Sequence, residues 1–217
     1  MDVLLSLFAL ILLSPVLLTV AALIRLKLGK PVIFKQKRPG LNERLFTLYK
    51  FRTMTSEKDQ YGNLLPDDKR LTRFGKMLRA TSLDELPELW NIMRGDMSVI
   101  GPRPQLVRDM IFMSPEQRRR HTVRPGLSGL AQINGRNDIT WEDKLNYDLM
   151  YVSHITFWGD WKVIITSLLK AITRESINTE GMETAEDYGD YLLRTGKVGY
   201  EFYAKRQTES NRLIMND

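Results

Sequence analysis

The chain has 217 residues, of which 43% are hydrophobic, and a net charge of +6, so it suits one folded domain with attached segments. It contains no cysteine, which excludes disulfides and cysteine-ligated zinc or iron–sulfur sites. No Gly-x-x-x-x-Gly-Lys-Ser/Thr run occurs, and His121 and His154 lack a zinc-protease spacing, which argues against a P-loop or a zincin. Residues 25–54 hold nine bases and one acid, a charge suited to anionic lipid or phosphate.

Residues 3–24 form an apolar segment of 22 residues without a charge. At ~1.5 Å per residue it is long enough to cross a hydrocarbon core of ~30 Å. Asp2 occupies the place where a signal peptide carries basic residues, and the bases that follow the segment predict that the rest of the chain faces the cytosol. Ser14-Pro15 interrupts the segment, because proline removes a backbone donor. Two interpretations remain open: a bent spanning helix, or a re-entrant hairpin that breaks at Ser14-Pro15 and leaves on the face it entered.

The next elements are predicted from periodicity and turn chemistry. Residues 31–37 predict a short extended segment, and residues 37–40 predict a turn that contains Pro39 and Gly40. Residues 45–54 alternate and are rich in aromatics, so they predict a strand with Lys50 and Arg52 on one face. A polar loop over residues 55–70 is followed by a helix over residues 71–79.

Residues 81–90 contain two adjacent carboxylates, Asp84 and Glu85, with Arg79, Arg94 and Arg103 on either side. Carboxylates bind Mg²⁺ and arginines bind phosphate oxygens, so the pattern predicts a site for a charged phosphate ester. The structural alternative is a capping box from Ser82 to Glu85.

A helix follows the two carboxylates. Pro87 favours a first helical turn and a later helix start, with the two carboxylates at its mouth. The side chains predicted to be buried are Leu83, Leu86, Leu89, Trp90 and Met93. This helix is predicted to end at Gly95, before a short strand.

Arg103 lies between two prolines, and this stiff backbone suits the positioning of a guanidinium. A helix is predicted from residue 115, with residues 118–120 as a solvated face, before a glycine-punctuated loop over residues 123–137. Helices are predicted at residues 141–151 and 163–172. Trp158, Trp161 and Lys162 are residue types favoured at membrane interfaces, although a core helix is the equal alternative. The polar, tyrosine-rich tail suits packing or protein contacts.

Several motifs in fixed order resemble the small monotopic phosphoglycosyl transferases of bacteria, the bacterial sugar transferase family, over about residues 2–175. The matching pieces are Ser14-Pro15, Lys37-Arg38-Pro39-Gly40, residues 49–54, Arg79 with residues 82–85, residues 95–98, Gly101-Pro102-Arg103-Pro104, Arg124-Pro125-Gly126, and Gln132 with residues 134–137. Leu130 departs from the family, whose members often carry tryptophan there. Asp160 matches a recurrent acid of the family.

The resemblance implies a chemistry. A UDP-sugar binds with Mg²⁺, and Asp84 attacks the sugar-linked phosphorus, so that UMP leaves and a phosphosugar–aspartyl intermediate forms. Polyprenol (undecaprenyl) phosphate then accepts the phosphosugar, and N-acetylated amino sugars are the expected range. Glu85 is implied as the magnesium ligand beside Asp84. The implied phosphate-binding residues are Lys50, Arg52, Arg79, Arg103 and Arg136.

The resemblance also favours the re-entrant hairpin and a monotopic protein on the cytoplasmic face of the bacterial inner membrane. The expected fold is α+β and mostly helical, with a membrane hairpin at residues 1–28, a small cytosolic catalytic domain at residues 29–175, interfacial amphipathic helices, and a C-terminal extension at residues 176–217. Expected partners are the UDP-sugar, polyprenol phosphate and membrane lipids, with no nucleic acid; a homodimer through the tail stays open.

Two other hypotheses use the same residues differently. A Mg²⁺-dependent pyrophosphohydrolase would use Asp84 and Glu85 but transfer to water. A membrane-anchored protein without enzymatic activity would use the basic residues 25–54 to bind anionic lipid or nucleic acid, and its binding would be sensitive to salt.

Overall fold

The computed structural model describes residues 2–135, 139–173 and 186–215. Within them the fold is α+β and mostly helical, with two small sheets. The strands are β1 (Ile33–Pro39), β2 (Leu45–Phe51), β3 (Ser98–Ile100) and β4 (Gly126–Ser128). The helices are α1 (Asp2–Leu12), α2 (Ser14–Lys27), α3 (Asp67–Arg70), α4 (Arg73–Ala80), α5 (Glu88–Arg94), α6 (Val107–Met110), α7 (Pro115–Arg118), α8 (Leu130–Ile133), α9 (Trp141–Ser153), α10 (Phe157–Thr173), α11 (Tyr188–Arg194) and α12 (Tyr200–Met215).

The N-terminal apolar segment is a bent helix pair. Helices α1 and α2 meet at Leu13 with a bend of 64°. Pro15 lies in the first turn of α2, where its missing N–H costs no helical hydrogen bond, and the Ser14 hydroxyl donates to the carbonyl of Ile11 at 2.8 Å. No single helix in the described residues is long and apolar enough to cross a membrane, whereas the bent pair together has the length and composition of a broken span or a re-entrant loop.

Strands β1 and β2 form an antiparallel hairpin. The prediction of a turn over residues 37–40 is wrong at its start, because Lys37 and Arg38 still pair with Thr47 and Phe46. The strand continues to Pro39, and the chain reverses over residues 40–44. A proline at the end of a strand is tolerated, since the ladder stops there.

The two carboxylates precede helix α5 rather than capping it. The capping-box alternative is wrong, because Ser82 has a left-handed backbone (φ 53°) and its side chain makes no capping hydrogen bond. A 3₁₀ turn over Leu83–Glu85 follows, and α5 begins only at Glu88, after Pro87. The later helix start is therefore confirmed, as is the end of the helix at Gly95 with φ 81°.

Helix α5 is packed between the hairpin strand β2 and helix α1. Leu89 and Ile92 are buried with Phe46 and Leu48 of β2 and with Met97, and apolar residues of α1 pack against this cluster. The prediction that Trp90 is buried is wrong, since it is 47% exposed. The buried face of a helix that starts at Glu88 passes through residues 89 and 92, so residue 90 points away from it.

Helix α10 packs against a parallel pair of short strands. Strands β3 and β4 pair in register from Ser98–Gly126 to Ile100–Ser128, and the chain leaves β3 through Gly101. The helix predicted at residues 141–151 is present as α9, and the apolar helix predicted at residues 163–172 lies within the longer α10.

The C-terminal segment packs on the rest of the fold. Tyr188 and Leu192 of α11 are buried with Val107, Ile111 and Trp141. The backbone N–H of Tyr188 donates to the Asp109 carboxylate at 2.9 Å. The packing predicted for the tyrosine-rich tail is therefore confirmed.

Candidate active site

The Asp84-Glu85 turn faces strand β2 because α5 is bound to the free edge of that strand. The fully buried Asn91 accepts a hydrogen bond from the N–H of Tyr49 at 3.1 Å and donates to the carbonyl of Thr47 at 2.7 Å. Its side-chain amide thus replaces a neighbouring strand at this edge. The register brings Lys50, the next residue along β2, to the turn that precedes α5.

Two cations converge on Glu85. Lys50 Nζ lies 2.9 Å and Arg103 Nη2 lies 2.6 Å from the same oxygen, Oε1. Burial alone would raise the pKa of Glu85, but Arg103 and Lys50 together outweigh it and hold that pKa well below its usual range. Glu85 is therefore ionised at neutral pH, and both cations lie beside it.

Asp84 lies next to this pair in a different environment. It is 9% exposed, and burial together with the adjacent charge of Glu85 raises its pKa to about 6. The positive charges of Lys50, Arg103 and Arg79 oppose this rise in the pKa of Asp84. Arg79 also donates from Nε to the hydroxyl of Thr53 at 3.1 Å. Four of the predicted site residues besides Asp84 are thus brought together: Lys50, Arg79, Glu85 and Arg103.

Glu88 belongs to the same cluster, and sequence reasoning missed it. It is 3% exposed, and its Oε1 lies 3.0 Å from Lys50 Nζ without hydrogen-bond geometry. Burial and the charge of Glu85 raise the pKa of Glu88 to about 7. The available signal was the spacing of three residues between Glu85 and Glu88, which places both on one side of a helical turn.

One predicted phosphate-binding residue, Arg52, does not join the cluster. Arg52 is 7% exposed and donates to the carbonyls of Leu28 and Lys30 and to the hydroxyl of Ser56. Its guanidinium therefore binds the chain that follows α2 and donates no hydrogen bond to Asp84 or Glu85. Arg136 lies outside the described residues.

The basic run at residues 118–120 is not the solvated face that was predicted. Arg120 is 2% exposed and ion-paired with Asp148 of α9 at 2.7 Å. Arg118 is paired with Glu43 in the loop between β1 and β2. The remaining member, Arg119, is the solvated one, with 57% of its side chain exposed.

The donor set fits a magnesium ion that is completed by phosphate oxygens. No group of three His, Cys, Asp or Glu side chains in the described residues forms a ready metal site. Mg²⁺ is commonly held by one or two carboxylates together with substrate phosphates, so such a group is not required. Both cation contacts of Glu85 use Oε1, so neither occupies Oε2. Glu85, with Asp84 beside it, retains oxygens for a cation.

Comparison with known proteins identifies the family and the enzyme class of the chain. Residues 1–174 match the family described as bacterial sugar transferase. The chain belongs to this family, which confirms the resemblance drawn from the motifs, and its enzyme class is that of the phosphoglycosyl transferases.

Individual relatives differ in length. The chain is 47% identical over 187 residues to an uncharacterized sugar transferase, EpsL, of Bacillus subtilis, covering 86% of this chain and 93% of EpsL. It is 39% identical over 190 residues to a UDP-glucose:undecaprenyl-phosphate glucose-1-phosphate transferase of Klebsiella pneumoniae, covering 81% of this chain but 40% of that protein. A UDP-N-acetylgalactosamine-undecaprenyl-phosphate N-acetylgalactosaminephosphotransferase of Aeromonas hydrophila is 37% identical over 181 residues, covering 80% of this chain and 43% of that protein.

Proposed function

We propose that this chain transfers a sugar 1-phosphate from a UDP-sugar to undecaprenyl phosphate and releases UMP, as the first membrane step of glycoconjugate assembly. The observation that carries the proposal is the cluster in which Lys50 and Arg103 bind Glu85 while their charges and that of Arg79 act on the neighbouring Asp84. The names of the Klebsiella and Aeromonas relatives, which specify UDP-sugars and undecaprenyl phosphate, support the substrate classes.

The proposed reaction has two displacements at one phosphorus atom. A carboxylate oxygen of Asp84 attacks the sugar-linked phosphorus, the bond to the bridging oxygen breaks, and UMP leaves with that oxygen. An oxygen of undecaprenyl phosphate then attacks the same phosphorus. This releases the Asp84 carboxylate and yields undecaprenyl diphosphate sugar.

The surrounding side chains have distinct proposed roles. Lys50 and Arg103 hold Glu85 in place and offer positive charge to the diphosphate, and Arg79 adds a further positive charge near Asp84. Glu85 and Asp84 would hold Mg²⁺, which when bound neutralises phosphate charge. Proximity to several cations keeps part of the Asp84 population ionised despite its burial.

The reaction is proposed to take place at the cytoplasmic face of the inner membrane, with a re-entrant hairpin as anchor. Both ends of the α1–α2 pair are bound to the same folded domain. The Asp2 carboxylate accepts from the hydroxyl of Ser98 in β3 at 2.7 Å, and Arg52 binds the carbonyls of Leu28 and Lys30 after α2. Side chains such as Phe8 and Leu18 on the outer surface are 66% and 72% exposed, as a lipid-facing surface requires.

The topology has a direct test, since the chain contains no cysteine. A single cysteine placed before Asp2 and another in place of Lys27 should both react with an impermeant thiol reagent from the cytoplasmic side only. Reaction of the first cysteine from the periplasmic side would show a spanning helix and overturn the hairpin.

The transferase proposal is tested by UMP release from a panel of UDP-sugars, with and without undecaprenyl phosphate. N-acetylated amino sugars are the proposed donors, and UDP-glucose is the essential comparison because relatives are named for it. A two-step reaction predicts a small stoichiometric release of UMP before any lipid acceptor is added, and a phosphosugar trapped on Asp84.

The nucleophile assignment is tested by Asp84→Asn, which should lower turnover by on the order of 10³-fold or more. Asp68→Asn, an exposed acid in α3, is the matched control and should retain full turnover. Full turnover by Asp84→Asn would refute the assignment. A product that is unchanged by added undecaprenyl phosphate would favour a pyrophosphohydrolase instead.

A further inference from the structure

The turn that carries Arg103 has an unusual hydrogen-bond pattern. Three successive backbone carbonyls each accept a hydrogen bond from a different part of the chain, at distances between 2.6 and 3.0 Å. The donors are the backbone N–H of Gly126 for Pro102, Nη2 of Arg120 for Arg103, and Nη1 of Arg38 for Pro104. The prolines on either side have no N–H of their own, so long-range donors take the place of a local backbone network.

The first of these bonds depends on a close backbone approach. Gly126 lies against Gly101, and a Cβ on Gly126 would lie 2.1 Å from the backbone nitrogen of Gly101. Only glycine allows the two chains to approach so closely. The turn is thus held against strand β4 at its first carbonyl.

The second bond comes from a fully buried ion pair. Arg120 donates from Nε at 2.9 Å and from Nη2 at 2.7 Å to Oδ2 of Asp148, and the same Nη2 donates to the carbonyl of Arg103 at 2.6 Å. The side chains of Arg120 and Asp148 are 1% and 3% exposed. A planar guanidinium offers several N–H groups in a fixed arrangement, so one group can serve both acceptors.

The Arg103 side chain, by contrast, is 42% exposed and reaches Glu85 at 2.6 Å. Its long side chain has many rotamers, and only its backbone is fixed by the turn. A substitution that removes the hydrogen bond to the Arg103 carbonyl therefore shifts the backbone from which the Arg103 side chain extends, without altering Glu85 or Asp84.

We propose that Arg120, held in place by Asp148, is a positioning residue that fixes the backbone of Arg103 and thereby its guanidinium at the Asp84-Glu85 site. This inference rests on the proposed function for its reaction. It predicts that the Arg120–Asp148 pair acts on catalysis only through Arg103, whereas a purely structural pair would act independently of that side chain.

The test replaces the buried pair by apolar residues of similar size, Arg120→Met with Asp148→Leu. Such exchanges commonly keep a protein folded, because they remove the cost of burying two charges along with their attraction. We expect a normal thermal midpoint but a fall in kcat/KM of roughly 10- to 100-fold, since small displacements of positioned groups cost this much.

A double-mutant cycle separates positioning from structure. In an Arg103→Ala background, the Arg120→Met and Asp148→Leu exchange should cause no further loss of kcat/KM, because its only route to the site has been removed. An equal loss in both backgrounds would overturn the proposal, as would an unchanged kcat/KM in the wild-type background. If the apolar pair fails to fold, Arg120→Lys enters the same cycle: lysine retains the charge for Asp148 but lacks the planar arrangement of donors.

The matched control is the neighbouring pair, Arg118→Met with Glu43→Asn. It removes an arginine–carboxylate pair from the same segment of the chain, but Arg118 makes no hydrogen bond to residues 102–104. Asparagine suits position 43, whose φ is 62°. This control should retain the kcat/KM of the wild type, and a loss as large as that of the Arg120 exchange would overturn the proposal.

Binding of UDP, measured by calorimetry, provides a readout without turnover. The apolar exchange at positions 120 and 148 should weaken UDP binding by roughly 3- to 10-fold, on the scale of one perturbed charged contact, and the control pair should leave it unchanged. If the wild type released no UMP from any UDP-sugar, the proposed function would fail, while this binding pattern would still support positioning. If the protein with Arg120→Met and Asp148→Leu kept both its UDP binding and its kcat/KM, the positioning proposal would be overturned.

Discussion

Two groups of charged side chains contrast with each other, the Arg120–Asp148 pair and the cluster around Glu85. In the buried pair, every described donor contact goes to Asp148 or to the backbone of Arg103, and almost nothing is exposed. In the cluster, Glu85 and Lys50 are each 18% exposed and Arg103 is 42% exposed. The buried pair is a closed unit, whereas the cluster keeps charged groups that can meet a substrate.

Electrostatics reinforce this contrast. Three carboxylates of the cluster, on Asp84, Glu85 and Glu88, share nearby cations unevenly: the pKa of Glu85 is lowered, while those of Asp84 and Glu88 are raised to about 6 and about 7. Groups whose protonation is this finely balanced are typical of functional sites. Closed pairs stabilise a scaffold, and unevenly matched clusters supply reactivity.

The largest effect is expected when only one partner of the Arg120–Asp148 pair is removed. Arg120→Met should lower the free energy of unfolding by about 3–5 kcal/mol, because it leaves the Asp148 carboxylate buried without a partner. Thermal or chemical unfolding in detergent measures it. Arg119→Met is the control: its partner Glu116 is exposed, so the loss should stay below about 1 kcal/mol. Similar losses in both variants would contradict the distinction between closed and exposed pairs.

The next largest effect is expected when Glu85, the carboxylate shared by Lys50 and Arg103, is replaced. Glu85→Gln should lower kcat/KM by about 10²- to 10³-fold, since Lys50 and Arg103 lose the charge that holds them. The thermal midpoint should change little by comparison. Steady-state UMP release measures the effect, with the exposed Glu116→Gln as control; a loss below tenfold would mean that Glu85 is not central to the site.

The pH dependence of stability tests a third kind of charged group, a buried carboxylate that accepts hydrogen bonds from backbone N–H groups. Asp109 accepts from the N–H groups of Leu106 and Tyr188, and burial raises its pKa to about 6 from 3.8. Between these values the folded state keeps a proton that the unfolded state releases. Stability therefore falls as the pH rises through this window, by up to ~1.4 kcal/mol per pH unit.

The Asp109→Asn variant isolates that contribution. The free energy of unfolding of this variant should lack the slope between pH 4 and 6. The stability of the wild type relative to the variant should therefore increase as the pH is lowered. Unfolding measured across this range at constant ionic strength reports the difference. Parallel curves for wild type and Asp109→Asn would show that Asp109 does not titrate there.

The smallest expected effect concerns Glu88, the cluster member with the least direct bonding. Glu88→Gln should change kcat/KM by less than about tenfold, because Glu85 alone can hold Lys50. Its thermal midpoint should stay equal or rise, since a neutral amide is cheaper to bury than a carboxylate. A loss as large as that of Glu85→Gln would give Glu88 a role in the chemistry.

Local sequence patterns predicted much of the secondary structure. The break at Ser14-Pro15, the strand that starts at residue 45 and the helix end at Gly95 follow from proline, alternation and glycine, which act within a few residues. The predicted strand ran to residue 54, whereas β2 ends at Phe51. The capping box at Ser82 fails because a left-handed residue and a 3₁₀ turn delay the helix to Glu88. The predicted burial of Trp90 fails because the buried face of that helix passes through residues 89 and 92.

The candidate site was only partly predictable. Asp84, Glu85 and the cations Lys50, Arg79 and Arg103 were selected from residue type and from motifs in fixed order. The roles of Arg120 and Glu88 were missed, because a basic run or an acid in a first helical turn most often faces solvent. Burial at those positions depends on segments far along the chain, such as Asp148, 28 residues after Arg120.

The sequence by itself determined the apolar segment and its break, the pair of carboxylates, the supply of basic residues and membership of the family. These features depend on residue type, short-range spacing and motif order. Only the tertiary structure decided which cation meets which carboxylate, that Arg52 binds backbone instead of the site, and that Arg120 supports Arg103. Lys50 and Glu85 are 35 residues apart and Arg103 and Glu85 are 18 apart. Pairing over such separations is set by the packing of α5 on β2, through the buried amide of Asn91.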